Sequence, residues 1–475
     1  MILTRAKMVP LHLEARVQSG HWNHARFSSF QEELQRRISR TCHLVISAKT
    51  SYLRKTLGGL VSPAPALESL SLSSEENWPR IAVPETLFGG TMPRLSFLEL
   101  DTCGISWNSS LLKGLRSLDI RSPPANTRPS LSVWLGALSE MSQLKTLTLH
   151  SASPIAPPFP FDVERTVAIP SLTHLDISSS AKNCALALAH LELPALTWLC
   201  LTAILHFPYS EDVQEILPYV ARHAHGPQDT QPLQSALIRN KGKRIDILAW
   251  PVPDIDVEVH GRPTLLTANL PTRLSLSFIG KDWYDCGARS STRGMAMVGL
   301  PLDDLVTLIA QDFTTSVWLH DLPKWPLLRR VRLVPFSERG FIHTMLEDNG
   351  GCDNPLLPSL KELALVDIRL YKHRMTDLYN ALMMRVEQGV PLELLDLRTC
   401  HPDPENPGAV RLLSEIVVNV LGPEETLDAR AQIRSMWDHL GRGPFVEDDN
   451  SGEANQLDTE NSDASSDDDD DDDEE

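Results

Sequence analysis

A leucine pattern that recurs along this chain constrains its fold more than any other feature of the sequence. The pattern is a leucine, two residues, a second leucine, one residue, and a third leucine or isoleucine, with Val331 as the middle residue once. Its nine copies begin at Leu67, Leu95, Leu115, Leu144, Leu172, Leu196, Leu328, Leu360 and Leu392. Successive copies start 28, 20, 29, 28 and 24 residues apart in the first block, and 32 apart in the second.

This spacing has a direct structural interpretation. The second and third apolar positions are two residues apart, so they lie on one face of a β-strand. One such strand cannot bury its leucines alone, whereas stacked neighbours form a continuous apolar core. We therefore predict an α/β leucine-rich-repeat solenoid, with a curved parallel sheet and outer helices. The alternative is an ordinary leucine-rich α/β domain, because a single copy of the pattern arises by chance.

Three segments next to the predicted strands carry apolar residues at helical spacing, which predicts helices that pack on the sheet. The first two are SLSVWLGALSEM and TDLYNALMMRVEQG, and the second ends at Gly389. The third is AVRLLSEIVVNVLGP, where the pattern predicts one helix through Leu412, Ile416 and Val420 that stops at Gly422.

The repeats divide the chain into five predicted parts. Residues 1–66 form an entry segment that caps the first repeat, with strands in LHLEARV and HLVISAKT and a helix in FQEELQRRI. Residues 67–204 and 327–442 are leucine-rich repeats. Between them, residues 205–326 are either irregular, enlarged repeats or a β-rich insertion. Residues 443–475 form a disordered acidic tail, because a run such as SDASSDDDDDDDEE cannot bury apolar surface and its charges repel one another.

The net charge of −18 belongs to this tail. From Glu447 onward there are 16 acidic residues and no Lys or Arg, which leaves 46 acidic against 44 basic residues in the rest of the chain. A nearly neutral body argues against nucleic acid as a partner. The tail is either an arm for a basic partner or a solubilising segment, and Ser465 and Ser466 are candidate phosphorylation sites before acidic residues.

Cysteine usage and hydropathy favour an intracellular protein, in the cytoplasm or the nucleus. The seven cysteines are odd in number and none form a CxxC pair, which argues against disulfides and zinc modules. Cys103 and Cys400 follow repeat strands, at a position where a small side chain can form hydrogen bonds with the backbone groups of the turn. We therefore assign structural roles to both cysteines. No apolar run is long enough for a signal peptide or a membrane span, so no membrane partner is expected.

The sequence contains none of the familiar catalytic motifs GxSxG, GxxxxGKS/T, GxGxxG and HExxH. The histidine pairs HWNH and HAH lack partners at zinc spacing, so we interpret them as surface or core residues. Asp254 and Asp256 alternate with apolar residues, as expected for the solvated face of a strand. We therefore predict no catalytic, metal-binding or cofactor-binding residues, no cofactor, and a protein that is not an enzyme.

Several segments give the chain a family resemblance. The opening LTRAKMVPLHLEARV, the RIDILAW segment, the late LLRRVRLVPF and LKELALVDI repeats and the acidic end resemble the F-box and leucine-rich-repeat proteins of mushroom-forming fungi. In that family an N-terminal F-box joins a cullin-type ubiquitin ligase and the repeats recruit a substrate. The resemblance implies that residues 1–66 correspond to the segment after an F-box, and we recognise no F-box pattern in them.

These observations support a protein-binding scaffold, and the resemblance implies F-box-like substrate recognition for a cullin-type ubiquitin ligase. A scaffold without a ubiquitin role is a second hypothesis. The alternative is an acidic-tailed repeat protein that binds basic partners such as histones, similar to acidic leucine-rich nuclear phosphoproteins. The expected partner is a protein, and the resemblance implies cullin-type ubiquitin ligase components as further partners. The binding residues are not identified from the sequence.

Overall fold

A computed structural model divides the chain into two units, Met1–Pro423 and Glu424–Glu475. The described residues all belong to the first unit, and they are 10–17, 24–76, 81–156, 163, 165–194, 197–206, 209–225, 231–241, 244–253, 259–260, 262–263, 273–280, 300–313, 318, 325–347, 355–402 and 409–422. The predicted acidic tail lies outside these residues. The domain boundaries predicted from the sequence stay predictions.

The first unit is built on a 16-stranded sheet, and its first eight strands lie side by side in chain order. All seven pairings among them are parallel. These strands are β1 (Leu11–Val17), β2 (Thr41–Ala48), β3 (Ser69–Ser74), β4 (Phe97–Asp101), β5 (Ser117–Arg121), β6 (Thr146–His150), β7 (His174–Ser180) and β8 (Trp198–Leu205).

The next three strands enter the sheet in reverse chain order. They are β9 (Ser235–Lys241), β10 (Arg244–Trp250) and β11 (Leu274–Gly280). β11 pairs in parallel with β8, while β10 lies antiparallel between β11 and β9. The other pairings of the main sheet are parallel, so β10 is the element that makes the sheet mixed.

Five further strands complete the sheet in chain order, and all of their pairings are parallel, beginning with β9 against β12. They are β12 (Thr307–Gln311), β13 (Arg330–Leu333), β14 (Glu362–Leu365), β15 (Leu394–Asp396) and β16 (Asn419–Leu421). The predicted α/β class with a large, mostly parallel sheet is confirmed. The nine strands predicted from the leucine pattern are all present in it.

Helices pack on one side of this sheet, because their buried residues join the same apolar core as the strand leucines. They are α1 (His24–Arg37), α2 (Thr50–Gly59), α3 (Leu131–Glu140), α4 (Ala181–Ala189), α5 (Tyr209–His225), α6 (Glu338–Glu347), α7 (Lys372–Glu387) and α8 (Ala409–Leu413). Within the described chain, none is long and apolar enough to cross a membrane.

The leucines of the pattern form the core as aligned rows. Leu118, Leu147 and Leu175 occupy equivalent positions on β5, β6 and β7, and each is fully buried. The third members Ile120 and Leu149 form a second row beside them. Burying a leucine side chain contributes about 2 kcal/mol relative to leaving it exposed, so each row contributes substantially to stability.

Several strands end at a residue in the left-handed region. Thr102, Ser122 and Ser151 follow β4, β5 and β6 with φ of 57°, 47° and 55°. The N–H groups of Ser122 and Ser151 donate to the carbonyls of His150 and Ser178 on the neighbouring strand, at 2.9 and 2.6 Å. The backbone therefore turns away from the sheet while its hydrogen bonds stay satisfied.

One sequence prediction requires correction. The third predicted helix ends at Leu413 in α8, and residues 419–421 instead form β16 against β15. The physical reason is that pairing with Leu394–Asp396 gives the backbone of residues 419–421 hydrogen-bond partners in the sheet, and this tertiary pairing overrides the helical spacing of the apolar residues. The first two predicted helices are confirmed as α3 and α7. The strands predicted in LHLEARV and HLVISAKT are present as β1 and β2, which continue the main sheet.

Candidate functional site

The candidate site is the face of the sheet opposite the helices, which we call the front face. It consists of the strand positions that alternate with the buried leucines, as the burial of β3, β4 and β5 shows. Strand register places these positions in rows. The middle row contains Ser71, Glu99, Asp119, Thr148, Asp176, Cys200 and Ser275, from β3 to β8 and on to β11.

Carboxylates dominate the middle of this face. Glu99 and Asp119 occupy equivalent positions on neighbouring strands, and the Ser71 hydroxyl donates to a Glu99 oxygen at 2.8 Å. Arg121 donates to both Asp119 oxygens, from Nε at 3.0 Å and from Nη2 at 2.8 Å. Desolvation raises the pKa of Asp119, and the charge of Glu99 adds to this effect while Arg121 opposes it. The protein therefore holds these carboxylates together against their mutual repulsion.

Negative charge exceeds positive charge on this half of the face. The front positions of β2 to β8, all of them described, hold four carboxylates, Glu99, Asp101, Asp119 and Asp176, and one guanidinium, Arg121. His150 Nε2 lies 3.2 Å from an Asp176 oxygen and adds positive charge when it is protonated. At neutral pH the front face of these strands is acidic.

Aromatic rings border the carboxylates at the end where the strands begin. The rings of His174 and Trp198 contact each other edge to face, with 4.3 Å between centroids. Trp198 is 38% exposed, an unusual degree for a tryptophan within a sheet. Desolvation lowers the pKa of His174, so its ring is neutral at physiological pH. The face therefore combines carboxylates with an accessible aromatic surface.

The thiol on this face is unsuited to nucleophilic chemistry. Burial raises the pKa of Cys200 to about 11, and the charge of Asp176 contributes in the same direction. A thiol with this pKa stays protonated at neutral pH. Among the described residues no group of three or more His, Cys, Asp or Glu side chains is placed to hold a metal ion.

The other half of the front face is differently organised. Its charges form close pairs: Arg244 Nε lies 2.5 Å from Asp246, Arg330 Nε lies 2.8 Å from Glu362, and Arg398 pairs with Asp396. An apolar cluster of Leu237, Trp250, Ile309 and Val334, with Leu248 and Val252 against it, lies on β9, β10 and β12 and next to them. The carboxylates on this half are therefore already paired with arginines, and Asp246 contacts a second one, Arg239, at 3.6 Å.

Two arginines elsewhere donate hydrogen bonds to backbone carbonyls. Arg222 Nη2 donates to the carbonyl of Leu188 at 2.6 Å, near the end of α4. Arg385 donates to three carbonyls, of Leu356, Leu357 and Leu360, at 2.7, 3.1 and 3.2 Å. These carbonyls lie at turns where no helical partner is available, so the arginines cap them.

A groove of about 430 Å³ lies away from the front face, between residues 107–113 and α3. Trp107 lines it and Lys113 Nζ lies 3.5 Å from a Glu140 oxygen beside it. Its lining combines apolar and hydroxyl side chains without a convergent set of charged groups. It does not define a ligand chemistry.

Only some of the residues singled out from the sequence are among the described residues. Ser465, Ser466, Asp254, Asp256 and His21 lie outside the described residues, and so does the side chain of His24. We interpreted the histidines of HAH as either surface or core residues, and His223 is a buried core residue. Cys103 and Cys400 are buried, and the Cys400 thiol donates to the Leu365 carbonyl at 3.1 Å, as their structural role predicts.

Sequence reasoning did not identify the front-face residues. The signal that could have found them is the set of positions between the pattern leucines. Those positions hold Glu99, Asp119 and Asp176 in three of the copies. Their juxtaposition depends on strand register, which the structure supplies. Comparisons with known proteins add no further candidates, because no family model matches this chain and no curated protein matches it.

Proposed function

We propose that this chain is a leucine-rich-repeat solenoid that binds another protein through its front face. The observation that carries the proposal is a parallel sheet with helices on one face and polar side chains on the other. Parallel sheets are usually covered on both faces. Strands that follow one another in chain order, joined by crossovers of one hand, place all connections on one side and leave the other side for binding.

Within this proposal, the bound protein is a substrate of a cullin-type ubiquitin ligase and the chain acts as an F-box-like recognition component. Support for the ligase connection comes from the family resemblance of the sequence. Support for recognition comes from the front face of β3 to β5, whose mostly polar side chains are half-buried or exposed. A scaffold that holds a partner without chemistry of its own fits the protonated Cys200 thiol.

A second candidate is an acidic repeat protein that binds basic partners such as histones, without a ubiquitin role. The specific observation in its favour is the group of front-face carboxylates, together with the 16 acidic residues from Glu447 onward. In this alternative the tail contributes to binding through long-range attraction, which salt screens.

Affinity purification followed by mass spectrometry tests the proposal. The baits are the full chain, a version ending at Arg442, and the full chain with Ser178→Trp, which places a bulky side chain on the front face of β7. The matched control is Ser139→Trp, at an exposed position of α3. We expect Ser178→Trp to lose partners that Ser139→Trp retains, because steric blocking acts only where the partner sits.

The outcomes separate the candidates. Recovery of the ligase linker protein with both the full chain and the shortened version supports the F-box-like role. Loss of basic proteins when the tail is removed, without any linker protein, supports the second candidate. Equal partner recovery by the two tryptophan variants would exclude the front face as the binding surface.

A further inference from the structure

We propose that strands β4 to β8 of the front face bind a basic segment of a partner protein, one that presents Lys or Arg side chains. This inference rests on the proposed function, because it names the chemistry of the partner for the same surface. It locates the recognition in the folded sheet and not in the acidic tail.

The first argument is charge complementarity. Glu99 and Asp119 lie side by side in register, and like charges at such positions destabilise a sheet. Asp101 follows on the same face of β4, and Asp176 lies two strands beyond Asp119. Arg121 is the single Lys or Arg on the front positions of the described strands β2 to β8, and it is already bonded to Asp119. Cations from a partner would relieve this repulsion.

The second argument is the aromatic surface. Trp198 is partly exposed and contacts His174 edge to face. In the strand register it is a diagonal neighbour of Asp176. Lys and Arg side chains bind favourably over tryptophan rings and beside carboxylates. The aromatic ring and the carboxylate are different groups, and both favour the same kind of ligand.

The third argument is access. Short hydroxyl side chains occupy the positions around the carboxylates, such as Ser73, Ser117, Thr146 and Ser178. They leave space for the long side chains of lysine or arginine, and their hydroxyls accept hydrogen bonds from such cations. A partner segment can therefore lie close to the sheet.

The fourth argument is the contrast between the two halves of the face. Beyond β11, Arg244, Arg330 and Arg398 each pair with an acidic neighbour at 2.5 to 2.8 Å. Additional basic residues there would meet the arginines that are already present. A basic segment is therefore favoured on β4 to β8 in particular.

The test uses the full chain and a labelled peptide of alternating Lys and Ser, with a Glu and Ser peptide as its acidic counterpart. The variant Glu99→Gln, Asp101→Asn and Asp176→Asn removes three front-face charges. A matched control, Glu85→Gln, Glu140→Gln and Glu387→Gln, removes three exposed charges elsewhere. The tail is the same in all three proteins, so its contribution cancels in the comparison.

We expect the front-face variant to weaken binding of the basic peptide by about tenfold or more at about 50 mM salt, and the control to change it by less than about twofold. The acidic peptide should not bind. Equal effects of the two variants, or preference for the acidic peptide, would overturn the proposal.

Carbodiimide coupling provides a second measurement that does not depend on the variants. It joins peptide lysines to carboxylates in contact with them, and mass spectrometry identifies the sites. Coupling at Glu99, Asp101, Asp119 or Asp176 supports the proposal, whereas coupling confined to the tail overturns it. One outcome separates this inference from the proposed function. If Ser178→Trp abolishes partner capture but the basic peptide does not bind the front face, the inference of a basic partner is wrong and the proposed function stands.

Discussion

Gly104 shows how closely the backbone packs at the level of a single residue. It pairs with Ala82 in a short two-stranded ladder next to the end of β4. A Cβ atom at this position would overlap the Thr127 side chain and approach Pro124 Cδ to 2.8 Å. Only glycine fits here without displacing the turn at Ala125–Thr127.

We predict that Gly104→Ala lowers the free energy of unfolding by about 1–3 kcal/mol, because the added methyl group overpacks this contact. Denaturant unfolding monitored by circular dichroism measures the effect. The matched control is Gly136→Ala in α3, where nothing lies within 4 Å of the new Cβ. That change should stabilise the protein by about 0.5–1 kcal/mol, since alanine favours a helix over glycine. A stabilising effect at Gly104 would contradict the packing argument.

His223 makes stability depend on pH. Burial lowers its pKa to about 4, and its Nε2 lies 3.1 Å from the Thr197 carbonyl, to which it donates. The unfolded chain takes up a proton near pH 6.5, whereas the folded protein does so near pH 4. The free energy of unfolding should therefore fall as the pH falls between these values, by up to about 3 kcal/mol.

His223→Gln removes the titrating group and keeps an amide donor for Thr197. Urea titrations between pH 7 and pH 4 should show a flatter pH dependence for this variant than for the parent chain. An identical pH dependence in both proteins would show that other groups dominate this range.

Arg385 connects one element to the next. It lies in α7 and caps the turn before β14, and it is only 3% exposed. Burial lowers its pKa to about 10, so it remains charged at neutral pH. We predict that Arg385→Met destabilises the protein by about 1–3 kcal/mol, because three carbonyls lose their donor. Arg385→Lys should restore only part of this loss, since one ammonium group cannot reproduce the planar fork of guanidinium donors. Thermal unfolding of the parent chain and the two variants measures whether their stability falls in the order parent, Arg385→Lys, Arg385→Met.

The leucine pattern predicts strands where its three apolar positions are intact, and fails where one of them is replaced. At β12 the three positions of the pattern are Leu305, Leu308 and Ala310. At β16 they are Val417, Val420 and Gly422, of which Gly422 directly follows the strand. In each case a small residue replaces the third leucine, yet the strand forms because its neighbours pair with it. Tertiary pairing thus overrides the local sequence.

The candidate site was less predictable than the fold. Alternation along a strand shows which side chains leave the core, but it does not show which strands become neighbours. Asp176 and His150 are 26 positions apart in sequence and meet through the register of β6 and β7. Likewise, nothing in RIDILAW indicates that β10 would run antiparallel between β9 and β11.

At the scale of the molecule, strands from β2 to β16 contribute to one apolar core, together with the helices. We predict that Leu175→Asp in β7 unfolds the repeat array, because an unpaired buried charge costs several kcal/mol against a total stability of about 5–15 kcal/mol. Its control is Ser178→Asp on the front face of the same strand, which should change the melting temperature little. A soluble Leu175→Asp protein with an unchanged melting curve would contradict the prediction.

The reversed order of β9 to β11 has a consequence for synthesis on the ribosome. β8 ends at Leu205, but its next partner in the sheet, β11, begins only at Leu274. At about 5–20 residues per second, translation takes several seconds to deliver that partner. During this interval the growing chain exposes an unpaired strand edge, which can recruit another nascent chain. The first eight strands therefore emerge as an assembly that depends on chaperones, or on local protection, until the middle of the protein has been made.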